Sequence, residues 1–185
     1  DVLVDCSMFT SGRWRPIAPL SGPRCDACSA IVEYEDGQPE MCVMGGSGER
    51  FLATVEAYNP RTNTWRSCLP LSPRRSGAVA GVVGGRLVVA GGFGDHEFLS
   101  SAEANTGTGW TTLPPMPHAA WTATACVLNG RLYVMGGEDS NKLQVLEMTE
   151  ENGLAWTVKA DLPANRHCAA SVVRNGWIRV LGGQV

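Results

Sequence analysis

The chain is predicted to be an all-β repeat protein made of short antiparallel strands. Three observations carry this expectation. A double glycine recurs at Gly45-Gly46, Gly91-Gly92, Gly136-Gly137 and Gly182-Gly183, in steps of 46, 45 and 46 residues. A tryptophan keeps the same rhythm at Trp14, Trp65, Trp110 and Trp156. Tight-turn pairs (Gly84-Gly85, Asn129-Gly130, Asn175-Gly176) stand between apolar runs, a strong short-range hairpin signal.

Each unit reads as four strands, a to d. Strand a is an apolar run such as "SGAVAGVV" or "CAASVV", rich in residues that favour strands. The tight turn follows, and strand b then ends in the double glycine. A polar loop leads to strand c, which carries an acid: Glu56 in "TVEAY", with Asp5, Glu103 and Glu147 as its expected counterparts. After a turn, "NPRTNTW" in the clearest copy, the tryptophan opens strand d. A Pro-rich link such as "LPLSP" or "LPPMP" ends the unit. No stretch shows a helical pattern. The expected units are approximately residues 1–46, 47–92, 93–137 and 138–185 of a single region, 1–185.

In "RLVVAGGFGDHEF" and "FLATVEAYNPRTNTW" the double glycine, the strand c acid and the strand d tryptophan resemble kelch repeats. The resemblance spans essentially the whole chain. It departs at the strand b tyrosine, kept only as Tyr133 and replaced by Cys42, Val88 and Arg179. The tyrosine before the c–d turn survives only as Tyr58. The resemblance implies a β-propeller with one blade per repeat. It also gives the glycines a reason. Blades crowd where strand b ends, and a residue without a Cβ turns there under close approach. The tryptophans are then expected to pack between blades, and the repeated acids to act as structural acceptors.

Residues 1–6 are expected in a strand c, and the chain ends after a strand b. These halves would make one blade, which leaves two architectures open: a closed four-bladed ring, or part of a larger ring. Kelch rings usually have six blades, and four would need a steep twist between neighbours, so the larger ring is favoured. It implies unpaired edges and self-association.

Bulk properties bound the function. With 185 residues, 44% of them hydrophobic and 18% charged, the chain suits one globular domain or a large piece of one. No run of about eighteen apolar residues exists to cross a membrane as a helix. The lack of an initiator Met and of a signal peptide suggests a trimmed or processed chain. A formal net charge of -3 argues against nucleic acid as partner. Seven scattered cysteines read as thiols of a reducing, cytoplasmic setting. Cys25 and Cys28 form a lone CxxC, too few ligands for zinc. In Asp95-His96-Glu97, neighbours in an extended loop point in alternating directions, so no metal is expected, nor any other cofactor. Galactose-oxidase-like propellers hold copper with Tyr and His, whereas only Tyr34 (at an a–b turn), Tyr58 and Tyr133 exist here. Neither GxSxG nor a phosphate-binding loop is present.

Function is expected where the copies differ. By resemblance, the b–c loops and the d–a links share one face. The loops begin at Ser47, Phe93, Glu138 and Gln184. The links carry Arg24, Arg75, Ala120 and Arg166 at one position, and Cys25, Ser76, Trp121 and His167 at the next. Arg24, Arg75 and Arg166 with Trp121 are therefore expected around a mouth that binds an acidic segment of another protein. The alternative is that these arginines pair with loop acids such as Glu138 or Asp95. The favoured function is a non-enzymatic protein-interaction module. The alternative is an enzyme or a sugar or small-molecule binder on the same scaffold. A third reading is a structural spacer.

Overall fold

Strands alone, without a helix, make up the regular structure among the described residues of the computed structural model: 2–33, 39–105, 107–149, 151 and 153–185. Tyr34, expected at an a–b turn, lies outside them. Strands β1 (Cys6–Thr10) and β2 (Arg13–Ile17) form a hairpin. Strands β3 (Cys28–Glu33), β4 (Pro39–Met44), β5 (Val55–Asn59) and β6 (Thr64–Cys68) form the first four-stranded antiparallel sheet in sequence order. The second sheet begins with β7 (Val79–Val83) and β8 (Arg86–Ala90). A small hairpin of β9 (Phe93–Gly94) and β10 (Glu97–Phe98) then intervenes before β11 (Ala102–Asn105) and β12 (Trp110–Leu113) complete that sheet. The third sheet holds β13 (Thr124–Leu128), β14 (Arg131–Met135), β15 (Leu143–Met148) and β16 (Leu154–Val158). Strands β17 (Ala170–Arg174) and β18 (Trp177–Leu181) form the last hairpin.

The result is three complete a-b-c-d blades flanked by a c–d half and an a–b half, four blades' worth of sheet. The two halves belong to separate two-stranded sheets and do not pair with each other. Their outward faces carry Phe9 and Trp14 at one end and Trp177 and Leu181 at the other, all more than half exposed.

The a–b turns are as read from the sequence. Gly84-Gly85, Asn129-Gly130 and Asn175-Gly176 all have positive φ at both positions, the geometry that closes a two-residue hairpin. Strand c of the first half-blade starts at Cys6 and does not extend back over residues 2–5, and Asp1 lies outside the described residues. Ser11-Gly12, with φ of 51° and 78°, closes that hairpin tightly, so its strand c lies closer to Trp14 than the longer turn of the next blade allows.

The cores lie between sheets. One cluster joins Val79, Val88 and Ala104 of the second blade to Leu132, Val134 and Leu146 of the third. Another joins Cys42, Met44 and Ala57 of the first blade to Leu87 and Val89 of the second. The double glycines sit where one blade meets the link into the next. A Cβ on Gly45 would collide with the Arg75 carbonyl oxygen, on Gly91 with that of Ala120, and on Gly136 with that of Arg166. The second glycine of each pair donates its N–H to the same carbonyl, at 2.9, 2.7 and 2.8 Å for Gly46, Gly92 and Gly137. The tryptophans complete the joint. Trp65, Trp110 and Trp156 donate their indole N–H to the carbonyls of Ala18, Leu69 and Pro114, at the end of the preceding strand d, at 2.8, 2.8 and 3.0 Å.

Register corrects two of the expected strand c acids. Glu56 lies opposite Val43 and Glu103 opposite Val89, each two residues before the double glycine. The residue in this place in the third blade, opposite Val134, is Gln144 and not Glu147. In the first half-blade, Ser7 lies opposite Pro16 as Glu56 lies opposite Ser67, and Asp5 precedes the strand. The c–d turn changes length between copies, so pairing register sets the equivalence. Glu147 instead pairs at 2.6 Å with the exposed Arg131.

Candidate functional site

The b–c loops and d–a links meet on one face of the arc, residue against residue. Ser47 exchanges backbone hydrogen bonds with Cys25 at 2.8 and 2.9 Å, Phe93 with Ser76 at 2.8 and 3.0 Å, and Gln184 with His167 at 2.9 and 3.0 Å. Glu138 donates its N–H to the Trp121 carbonyl at 2.9 Å. The expected site residues Ser47, Phe93, Trp121, Glu138 and His167 are thus gathered on one face.

Arg24 and Arg75 are not offered to that face. Their side chains are 3% and 0% exposed and turn inward to Glu56 and Glu103 of their own blades. Arg24 also donates to the carbonyls of Gly45 and Thr54. Arg75 donates to Glu103 at 2.8 Å, to the Gly91 carbonyl at 2.7 Å and to the Ser101 carbonyl at 3.1 Å. The acids also cap backbone: Glu56 accepts from the Ser21 N–H at 3.0 Å, and Glu103 from the Ser72 N–H at 3.0 Å. Arg24 and Arg75 are therefore brackets that tie link, double glycine and strand c together, and not ligand groups. Nor do they pair with Glu138 or Asp95. Asp95 stands 3.8 Å from Arg74, and Glu138 stands 3.6 Å from His167. Arg166 makes the same first contact, donating to the Gly182 carbonyl at 2.6 Å, and is half-buried.

The third blade replaces both members of the bracket. Ala120 stands in the arginine position and is 2% exposed, and Gln144, 1% exposed, stands in the acid position. Gln144 accepts from the His118 N–H at 2.8 Å and donates to the His118 carbonyl at 3.0 Å. A neutral amide serves where no guanidinium needs a counter-charge.

What does occupy the face is an aromatic cluster. In the β9–β10 hairpin, Asp95 and His96 take φ of 48° and 79°, so the chain reverses in two residues and sets Phe93 opposite Phe98. Their ring centroids lie 5.6 Å apart. Phe93 is 5.5 Å from Phe51 of the first blade's b–c loop and 5.5 Å from Trp121 of the link into the third blade. Phe98 stacks on Trp121 at 5.4 Å with 20° between planes. Three blades thus contribute to one apolar surface, and Phe98 stays 44% exposed. Beside it, Ser47, Arg50, Phe51, Arg74, Asp95 and His96 line a cavity of about 380 Å³. Phe51, Phe98, Arg50 and Arg74 were not expected in the site. The signal for the phenylalanines was present in "GERF" and "GFGDHEF", where aromatic residues stand in loops that needed only polar ones.

A larger cavity, about 600 Å³, opens between the first two blades away from this face, beside Glu33, Arg66, Cys68 and Trp110. Its cation is already engaged, since Arg66 pairs with Glu40 at 2.5 Å. Among the described residues no group of three His, Cys, Asp or Glu is arranged to hold a metal ion. Burial pushes the Cys28 thiol up to about 12, outweighing the opposing charge of Arg75. It is a packed, unreactive thiol.

Comparison with known proteins agrees with this architecture. The Kelch motif is recognised at residues 43–71 and 74–104. The chain is 32% identical over 134 residues to an F-box/kelch-repeat protein of Arabidopsis thaliana, across 67% of this chain and 34% of that protein. It is 33% identical over 131 residues to Kelch-like protein 15 of Danio rerio, across 66% of this chain and 21% of that one. The chain therefore spans about a third or less of the length of these relatives. The solved structure of YjhT superposes with a TM-score of 0.81 at 19% identity, over 92% of this chain and 62% of that one, a likeness of fold.

Proposed function

Because the chain belongs to the kelch-repeat β-propeller family, a scaffold for protein interaction, we propose that it is a non-enzymatic module that grips a partner protein's segment where its b–c loops and d–a links meet. The observation that carries this reading is the Phe51–Phe93–Phe98–Trp121 cluster, drawn from three blades onto that face. Intra-blade packing does not require it, since the cores lie elsewhere. Exposed aromatic anchors are the residues that most often dominate binding energy, at roughly 2 kcal/mol or more each. Ser47, Glu138, Arg166 and His167 border the site, with Arg50 and Arg74 at its outer side. An acidic segment loses its main support, because Arg24 and Arg75 are committed inward.

The chain's seven cysteines are all unbridged, which supports a reducing intracellular compartment. No helix among the described residues is long and apolar enough to cross a membrane.

The test is selection of peptides from a random displayed library on the 185-residue chain, followed by affinity measurement. Phe98→Ala with Trp121→Ala should weaken the selected peptides at least tenfold. Val127→Ala, near the Asn129-Gly130 turn at the other end of its blade, should leave them unchanged. The opposite pattern would move the site away from this face.

A further inference from the structure

We infer that the segment gripped at this face presents a cationic side chain, lysine or arginine, to the Phe98–Trp121 pair; the inference rests on the site proposed above. Aromatic faces attract cations through their ring quadrupole, more so where water is excluded. The pair is stacked and its outer ring is 44% exposed, so it offers such a face.

The charges around it have the matching sign. Glu138 is held against Trp121 by its own backbone N–H, at 2.9 Å from the Trp121 carbonyl. Its carboxylate stands 3.6 Å from the His167 ring on a side chain that stays 33% exposed, and Asp139 beside it is exposed. The nearest guanidinium and ammonium groups are engaged elsewhere: Arg166, at the border of the site, donates to the Gly182 carbonyl at 2.6 Å. Arg75 is 0% exposed and paired to Glu103. Lys142 is turned to Asp161 at 2.7 Å. The bracket arginine of the link that carries Trp121 is absent, since Ala120 replaces it. Arg74 and Arg50 lie toward Phe51, on the far side of the cluster, and Arg74 has Asp95 at 3.8 Å. An acidic segment laid on Phe98 and Trp121 would meet the charges of Glu138 and Asp139. Charge complementarity therefore selects a basic segment.

The experiment uses the peptides selected on the intact chain. Their sequences should be enriched in lysine or arginine. In synthetic versions, changing the basic residue to norleucine should weaken binding by about tenfold, and changing it to glutamate should weaken it further. Glu138→Gln with Asp139→Asn should weaken the basic peptides several-fold and reduce their salt dependence, with the fold unchanged by circular dichroism. Peptides that need Phe98 and Trp121 but are acidic or uncharged, or that ignore the Glu138→Gln/Asp139→Asn change, overturn this inference and keep the site. Peptides indifferent to Phe98→Ala with Trp121→Ala overturn the site itself. A library that yields no binder dependent on these two rings overturns both.

Discussion

Arg75 and Glu103 form an ion pair at 2.8 Å with both side chains essentially closed to solvent, 0% and 5% exposed. The corresponding residues of the third blade are Ala120 and Gln144, so the cation and its counter-charge are lost together. Removing one partner of such a pair leaves the other charge buried and uncompensated. Arg75→Ala should therefore cost about 3–5 kcal/mol. Arg75→Ala combined with Glu103→Gln imports the third blade's solution and should be clearly more stable than Arg75→Ala alone. Urea unfolding of the two single variants and the double variant measures this. Simple additivity would show that the pair is not a unit.

The double glycines make a second prediction. Gly136→Ala forces a Cβ into the Arg166 carbonyl at φ of +70° and should cost roughly 2–4 kcal/mol. Gly182→Ala has a similar φ, +65°, but open space around it, and should cost only about 1 kcal/mol. Thermal unfolding of both variants separates crowding from backbone strain. Equal costs would remove the role of inter-blade crowding.

Cysteine reactivity follows from burial. Cys25 and Cys168 are exposed, whereas Cys28 is buried with its thiol raised to about 12. Below the ordinary thiol value of 9.0, a maleimide should label Cys25 and Cys168 quickly and Cys28 only after unfolding. Between 9.0 and about 12 the unfolded chain releases the Cys28 proton while the folded chain keeps it. Cys28 therefore contributes a loss of stability as pH rises through that window. A Cys28→Ala variant should show a shallower alkaline decline, and an unchanged slope would contradict the assignment.

The fold was legible because its devices repeat. Double glycines, Asn-Gly turns and tryptophans each mark a place where one backbone or side-chain geometry is required, and repetition separates them from chance. The site was only half legible. Position along the repeat gathered Ser47, Phe93, Trp121, Glu138 and His167 on one face. It did not show that Arg24 and Arg75 point inward, because direction depends on the strand c acids reached across the sheet. The hint lay in the arginine and the acid each recurring in register, the behaviour of groups that serve the repeat. Asp5 and Glu147 are not the counterparts of Glu56, because c–d turns vary in length and pairing register defines equivalence. Phe51 and Phe98 come together only through the β9–β10 hairpin, whose turn at Asp95-His96 lacks the glycine or asparagine that would have announced it.

The end hairpins carry a prediction of their own. β1 and β18 present unpaired edges flanked by exposed Phe9, Trp14 and Trp177. The 185-residue chain should associate in a concentration-dependent way in light scattering. Lysine at Ser7 and Val180 should suppress the association without altering the β-rich circular dichroism. A monomer at all concentrations would mean that these edges are protected in solution.

Under the proposed function the aromatic face, and not the arginine brackets, binds the partner segment. The indole N–H signals in a nitrogen-15 correlation spectrum test it most directly. Trp65, Trp110 and Trp156 are hydrogen-bonded between blades, whereas Trp121 lies in the cluster. On titration with a selected basic peptide, the Trp121 signal should shift progressively while those of Trp65, Trp110 and Trp156 stay in place. A stationary Trp121 signal, with shifts at the inter-blade indoles instead, would contradict the account.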